Sequence, residues 1–176
     1  MLGHVTLISS SALVLAAAGS VTDLRSRRIP NRLVVVGLVL GAALNARAAG
    51  LAGVGSSLAG GSLGLALFLP IFLLGGMGGG DVKLMAALGS MVGPMGIVRI
   101  ALAAALAGGL LALMAAWWSG RLLSTLNGIA ALLWLWWCAG IRPSPDLKLG
   151  NPSALKIPYA LPIAAGTLFV ALGRWS

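Results

Sequence analysis

The sequence predicts an all-α polytopic membrane protein with about six transmembrane helices, in a single domain that covers residues 1–176. Hydrophobic residues make up 59% of the chain and charged residues only 9%, and the mean hydropathy is +1.02. A soluble domain carries roughly 25% charged residues, so this chain has too little polar surface to cover a water-soluble globule. The same composition excludes an intrinsically disordered chain. The class of protein that the composition allows is therefore a membrane protein with several crossings.

The charged residues are strongly biased toward positive charge, with 12 Lys and Arg against three acids, Asp23, Asp81 and Asp146. The basic residues lie between apolar runs, a distribution that indicates membrane topology rather than a nucleic-acid partner. With one cysteine (Cys138) and one histidine (His4), the chain can form neither an internal disulfide nor a metal site built on Cys or His. No metal or other cofactor is expected.

The first predicted helix covers residues 4–22 and is similar to a secretory signal peptide in its apolar character. A signal peptide carries its positive charges before the apolar stretch, whereas no Lys or Arg precedes Asp23. Four arginines follow that aspartate instead, namely Arg25, Arg27, Arg28 and Arg32. Because positive charge stays on the cytoplasmic side, we expect a retained span with the N-terminus outside and the loop 23–32 inside.

The next three spans are separated by glycine-rich segments. The second span is predicted at 33–49, an uncharged outer turn at 50–57, and the third span at 58–75. The fourth begins at Asp81 and reaches the Gly-Pro pair at 93–94, so it is only about 20 Å long at 1.5 Å per residue. Since the hydrocarbon core is about 30 Å thick, this span must tilt, extend past the proline or lie in thinned bilayer.

The C-terminal part contains two further spans and one ambiguous segment. The fifth span is predicted at 97–118 and the last at 158–173. Segment 122–141 is apolar enough to make a seventh crossing. However, its apolar residues follow one-face helical spacing, and its tryptophans at 134–137 suit the headgroup zone. The basic residues that follow it also favour the cytoplasm, namely Arg142, Lys148 and Lys156. The interpretation favoured is a Trp-rich helix in the inner interface.

Counting crossings places two of the three acids on one face of the membrane. The first span ends inside, the second leads out and the third returns, so Asp23 and Asp81 both lie at cytoplasmic helix ends. Taken singly, Asp81 could cap its helix, and Asp23 could pair with Arg25 or Arg27. Together, in a chain so poor in acids, the two indicate a functional site.

Two carboxyl groups in one site can activate water for attack on a peptide bond. Their like charges keep one of them protonated. The ionised group takes a proton from water, which attacks the carbonyl carbon, while the protonated group hydrogen-bonds the carbonyl oxygen and helps the amine to depart. We therefore expect Asp23 and Asp81 to be catalytic, without a metal.

The glycines just before Asp81 indicate close backbone packing. Gly78, Gly79 and Gly80 can adopt positive φ and admit a second backbone, and a protease binds extended peptide partly through the main chain. A flexible loop or a close helix crossing would use the same residues. A phosphate-binding loop is disfavoured, because the run lacks the Gly-Lys-Ser/Thr ending and carries an aspartate.

Three segments resemble the sequence motifs of the type IV prepilin peptidases. Residues 78–89 (GGGDVKLMAALG) resemble the GxGD signature of that family. Residues 23–31 (DLRSRRIPN) are similar to its first aspartate motif, in which Ile-Pro-Asn follows the aspartate. Residues 157–160 (IPYA) are similar to its C-terminal Pro-aromatic motif. The three segments run from the first span to the last, in the family's order.

The resemblance implies a membrane-embedded aspartic protease that removes the leader of prepilin-like proteins at the cytoplasmic face of the bacterial inner membrane. Asp23 and Asp81 match the family's catalytic pair. The chain has no N-terminal four-cysteine zinc element, so the methyltransferase activity of larger members is expected to be absent. Its size is similar to the short single-domain peptidases of tight-adherence (Flp) pilus systems, and archaeal preflagellin peptidases are close relatives. The expected partners are a leader-bearing substrate with an apolar helix and the lipid bilayer, not nucleic acid.

Other polar residues near the motifs have more than one interpretation. Lys83 could simply reach the water at the membrane edge, or it could stabilise the ionised aspartate pair or contact a substrate carboxylate. Pro30 and Asn31 are expected to shape the loop that aims Asp23, since Pro30 has a restricted φ. Gly78 and Gly80 are expected to shape the site. Asp146, between prolines, is expected to be a solvated turn residue.

Two other functional classes compete with a peptidase. One is a non-catalytic membrane scaffold of a pilus or secretion system, which would pack through its many small residues and would tolerate Asp→Asn changes. The other is a small transporter, in which an acid near the bilayer midplane would couple ions. Neither class explains two acids at the same membrane face.

Overall fold

A computed structural model describes residues 2–74, 77–139 and 159–173, and in these ranges it contains five α-helices and no β-strand. The prediction of an all-α protein is therefore confirmed. The helices are α1 (Leu2–Ser26), α2 (Asn31–Leu73), α3 (Gly79–Trp118), α4 (Leu122–Ala139) and α5 (Ala160–Leu172). Three of them are long and apolar enough to cross a membrane, over Thr6–Ser26, Asn31–Leu73 and Gly79–Trp118.

Helix α2 has 43 residues, about twice the ~20 that a single span needs, and it breaks near its middle. Ala49 (φ −141°, ψ 19°) and Gly50 (φ 58°, ψ −135°) leave the helical conformation, which glycine can do at positive φ without steric cost. The break divides α2 into limbs α2a (31–48) and α2b (51–73). A Cβ at Gly53 would meet the carbonyl of Asn45. The two limbs are therefore in contact within a few residues of the break.

The outer turn predicted at 50–57 is therefore too long. Residues 51–57 are helical, and only Ala49 and Gly50 depart from helical geometry. Such a tight turn is possible because Gly53 brings no side chain to the place where the limbs meet. Composition alone could not show this, because glycine and serine fit a close helix contact as well as a loop.

Helix α3 breaks at Gly93 (φ 75°), immediately before Pro94, into limbs α3a (79–92) and α3b (94–118). Pro94 lacks the N–H that would bond the carbonyl of Ser90 in a continuous helix. The side-chain amide of Asn45 in α2a supplies donors there, with Nδ2 lying 3.1 Å from Ser90 O and 2.9 Å from Met91 O. The carbonyls freed by the break are thus satisfied by a neighbouring helix.

Limb α3a is the centre of the bundle. The side chains of Leu84, Met85 and Leu88 are fully buried, as expected for a helix surrounded by other helices. Glycines let these helices approach: Gly60 of α2b and Gly89 are in backbone contact, and neither could carry a Cβ without displacing the other's carbonyl. Small residues at helix crossings are typical of membrane proteins, where close van der Waals packing holds helices together.

The remaining helices pack around this centre. On α1, Gly19 lies against Leu84 of α3, and a Cβ at Gly19 would be 2.8 Å from Leu84 Cδ2. On α5, Gly166 lies against α3b, where a Cβ would be 2.9 Å from Ile100 O. Among the described residues, α4 contacts only α3. At one end of the bundle, the end of α1 meets the start of α5 through Ser20 and Ala160. The start of α3 meets both ends of α2 there, through Lys83 with Asn31 and through Gly79 with Phe72.

Candidate active site

Asp23 lies near the C-terminal end of α1, where the chain turns sharply. Its backbone carbonyl accepts the N–H of Arg27 at 2.8 Å, and Arg27 has a left-handed φ of 50°, a conformation common just past a helix end. The chain then enters α2 through Pro30, which precedes the helix with φ −63° and ψ 134°. This compact loop returns the chain to the same end of the bundle, with the Asp23 side chain half-buried.

Asp81 is the third residue of α3 and lies in its first turn. The first backbone N–H groups of a helix have no acceptor within the helix, and together with the helix dipole they favour a negative charge there. The residue is only 7% exposed, and its Oδ1 has no hydrogen-bond partner among the described residues. A buried carboxyl oxygen without a partner is costly, and such an unsatisfied group in a folded protein calls for an explanation such as a functional role.

The two aspartates line one cavity of about 320 Å³. They are close enough to interact electrostatically. The other residues around the cavity come from the loop after α1 and from the start of α3: Arg27, Arg28, Ile29, Gly78, Gly79, Gly80 and Lys83. The structure thus places together the two acids that the sequence separates by two predicted membrane crossings.

Glycines before Asp81 permit close approach of the two chain segments that form this cavity. A Cβ at Gly80 would lie 3.2 Å from Ile29 Cβ and 3.4 Å from Ile29 N. A Cβ at Gly78 would lie 3.2 Å from Asp81 Oδ2. Both contacts are tight, so a side chain at Gly80 would push the loop after α1 away from the start of α3, and one at Gly78 would press on the Asp81 carboxyl group.

Lys83 and Asn31 form a direct link between the two motifs. The Lys83 ammonium donates a hydrogen bond of 3.1 Å to Asn31 Oδ1, across 52 positions of sequence. Asn31 opens α2 directly after Pro30, while Lys83 also lines the cavity. The structure thus gives Lys83 a contact that the sequence did not predict, one that joins the start of α2 to the start of α3.

The start of α5 supplies a third side of the site. The backbone amide of Ala160 approaches the Asp23 carboxylate closely enough to interact with it, and Ser20 Oγ donates to the carbonyl of the same residue at 2.8 Å. Sequence reasoning did not identify Ser20, although a hydroxyl one helical turn before Asp23 was a usable signal. It placed Arg27, Arg28 and Ile29 in the loop beside Asp23 but did not name them as site residues; their proximity in sequence to Asp23 was the available signal.

Two predicted features lie outside the described residues, namely Asp146 and the Ile-Pro part of segment 157–160. Within the described ranges, no three His, Cys, Asp or Glu side chains are grouped as a metal site requires. The two aspartates share the cavity with three cationic side chains, Arg27, Arg28 and Lys83. This combination suits acid–base activation of water beside a polar substrate.

Comparison with protein families gives one match. The sequence model described as the type IV leader peptidase family matches residues 10–113, more than half of the chain and a range that includes both aspartates. Comparison with curated proteins and with solved structures gives no match.

Proposed function

The chain belongs to the type IV leader peptidase family, and on this premise we propose that it is a membrane-embedded aspartic endopeptidase that removes the leader from type IV prepilin-like proteins. Family membership makes it a peptidase. The finer assignment is supported by one observation above all, that Asp23 and Asp81 line a single cavity although they come from different helices.

The proposed reaction uses the two carboxyl groups in complementary states. One takes a proton from a water molecule, whose oxygen bonds to the carbonyl carbon of the scissile peptide. The other, protonated, hydrogen-bonds the carbonyl oxygen, and as the C–N bond breaks a proton is delivered to the departing amine. The buried Oδ1 of Asp81, which has no partner among the described residues, supports a functional rather than a structural role for this carboxyl group.

For the membrane arrangement we propose six crossings, made by α1, the two limbs of α2, the two limbs of α3, and α5. The breaks at Gly50 and Gly93 support this arrangement, since they divide two helices that are each about twice the length of a span. We place α4 in the inner interface.

The distribution of positive charge supports a cytoplasmic active site and an external N-terminus. Five cations lie at the end of the bundle that holds the cavity: Arg25, Arg27, Arg28, Arg32 and Lys83. Arg47, beside the break at Gly50, and Arg99, six residues after the break at Gly93, lie toward the opposite end. Because cytoplasmic loops carry the excess of Lys and Arg, the cavity is expected on the inner face of the bacterial inner membrane.

The proposed substrate is a small Flp-type prepilin with a basic leader followed by an apolar helix. That helix would share the bilayer with the enzyme and so bring its leader junction to the membrane edge where the cavity lies. Arg27, Arg28 and Lys83 around the cavity would repel a Lys-rich leader. We therefore expect recognition to depend on the junction and on an acidic residue near the start of the substrate helix.

Coexpression with an Flp-type prepilin tests the proposal, with leader removal followed as a mobility shift. Asp23→Asn and Asp81→Asn should each abolish processing without loss of membrane insertion, since each leaves only one titratable carboxyl group in the cavity. Asp146→Asn, the third acid of the chain, is the matched control and should process normally. Substantial processing by either Asn variant would contradict the aspartic mechanism. No processing even by the wild type would favour the scaffold alternative.

A further inference from the structure

A buried hydrogen bond ties the start of α5 to α1. The hydroxyl of Ser20 lies 2.8 Å from the carbonyl oxygen of Ala160, 140 positions further along the chain, and 2.9 Å from the carbonyl of Ala16 in its own helix. Ser20 is 5% exposed and Ala160 is 0% exposed. The hydroxyl has a single proton, so the two carbonyls share it, and Ser20→Ala would remove this polar link between α1 and α5.

Ala160, the first residue of α5, also contacts Asp23 of α1. Helix α5 begins after Tyr159, which makes no side-chain capping bond, so the first amides of this helix have no acceptor of their own. The amide of Ala160 meets the Asp23 carboxylate. Ala160 therefore contacts α1 twice, through its carbonyl to Ser20 and through its amide to Asp23, and the two α1 residues are one turn apart on the same helix face.

We propose that Ser20 is a positioning residue for Asp23, because its hydroxyl holds the amino end of α5 where the Ala160 amide meets the carboxylate. The amide then fixes the direction in which the carboxylate faces the cavity. The inference rests on the proposed peptidase function. It goes further by making α5, which lies outside the matched residues 10–113, a required part of the site.

Other hydroxyl groups in the bundle show what a purely local role would be. Thr167, 2% exposed in α5, donates to Ile163 of its own helix at 2.8 Å. Thr22, next to Asp23, donates to Ala18 and Gly19 of its own helix at 3.0 and 2.9 Å. Both are matched controls, because removing either hydroxyl loses a bond within one helix and leaves the link between α1 and α5 in place.

The first measurement needs no substrate. Hydrogen–deuterium exchange of the purified full chain, read by mass spectrometry, should show faster exchange at the start of α5 in Ser20→Ala than in the wild type. Thr22→Ala should leave exchange in α5 unchanged. Equal exchange in Ser20→Ala and the wild type would overturn the proposal, whatever the activity of the variant.

The second measurement is the steady-state kinetics of leader removal from an Flp-type prepilin. Ser20 does not line the cavity, so Ser20→Ala should leave KM within about twofold and lower kcat about 10- to 100-fold, the cost of a catalytic group displaced by about 1 Å. Thr167→Val, which removes a buried hydroxyl from α5, should keep kcat close to that of the wild type.

The outcomes separate the inference from the function on which it rests. An unchanged kcat in Ser20→Ala, or an equal loss in Thr167→Val, would overturn the positioning role. Failure of the wild type to cleave any Flp-type prepilin would count against the proposed function instead, and the exchange measurement would still decide whether Ser20 holds the start of α5.

Discussion

Lys83 and Asn31 show how two exposed polar side chains can connect distant parts of a membrane bundle. Each follows closely after a motif residue, Lys83 after Asp81 and Asn31 after Pro30, and a 3.1 Å hydrogen bond joins them. The bond connects the start of α2 to the start of α3 beside the cavity. An exposed hydrogen bond of this kind contributes about 0.5–1.5 kcal/mol, so its role is to favour one arrangement of the loop rather than to hold the fold.

Removing this link should slow leader removal without abolishing it. If the contribution of about 0.5–1.5 kcal/mol is lost from the active arrangement, Asn31→Leu should lower the initial rate of processing by about 2- to 10-fold. Arg32→Gln, a neighbouring exposed change that leaves the bond intact, is the control and should keep the wild-type rate. Full activity in Asn31→Leu would show that the link does not matter to the site.

At the scale of the helices, the packing depends on where glycine is needed. Gly60 faces the backbone of Gly89 in α3, whereas a Cβ at Gly55, on the same limb of α2, would meet nothing within 4 Å. Glycine in a helix interior is otherwise unfavourable by about 1 kcal/mol relative to alanine. Comparing the two positions therefore separates the unfavourable helix propensity of glycine from its value at a close helix contact.

Substituting alanine at these two glycines should change stability in opposite directions. Gly55→Ala should raise the free energy of unfolding by up to about 1 kcal/mol through helix propensity alone. Gly60→Ala should lower it by about 1–3 kcal/mol, because the added methyl group forces two helices apart. Thermal unfolding in detergent measures both changes, and stabilisation by Gly60→Ala would disprove the close contact.

At the scale of the whole molecule, the breaks in α2 and α3 bring the two aspartates to one end of the bundle. The limbs α2a and α2b both pack on α3a, through Gly41 against Ser90 and Gly64 against Met85. The chain therefore runs away from the cavity along α2a and returns along α2b before Asp81 begins the next helix.

Membrane topology should follow this arrangement. In a Cys138→Ser background, single cysteines at Ser26 and Ser144 should react with an impermeant thiol reagent only from the cytoplasmic side, and a cysteine at Leu51 only from outside. Labelling of Ser26→Cys and Ser144→Cys from opposite sides would show that residues 122–141 cross the membrane. Labelling of Leu51→Cys from the cytoplasmic side would contradict two crossings in α2.

The amino-acid sequence by itself determined the helical class and the approximate limits of the helices. Hydropathy over windows of about 20 residues finds apolar segments, and the backbone preferences of Gly50, Gly93 and Pro94 mark the points where helices break. These properties belong to short stretches of chain, so they can be deduced without knowing what packs against what. The number of predicted crossings also indicated that Asp23 and Asp81 lie at the same face of the membrane.

Only the tertiary structure decided which atoms meet at that end. The link from Ser20 to Ala160 spans 140 positions and that from Lys83 to Asn31 spans 52, and neither has a local signature. The turn at Ala49 and Gly50 is tighter than the composition of 50–57 indicated, because glycine serves a close helix contact and a loop equally well. Side-chain partners across helices depend on the packing of the whole bundle. The hydrophobic periodicity of a single helix therefore cannot predict them.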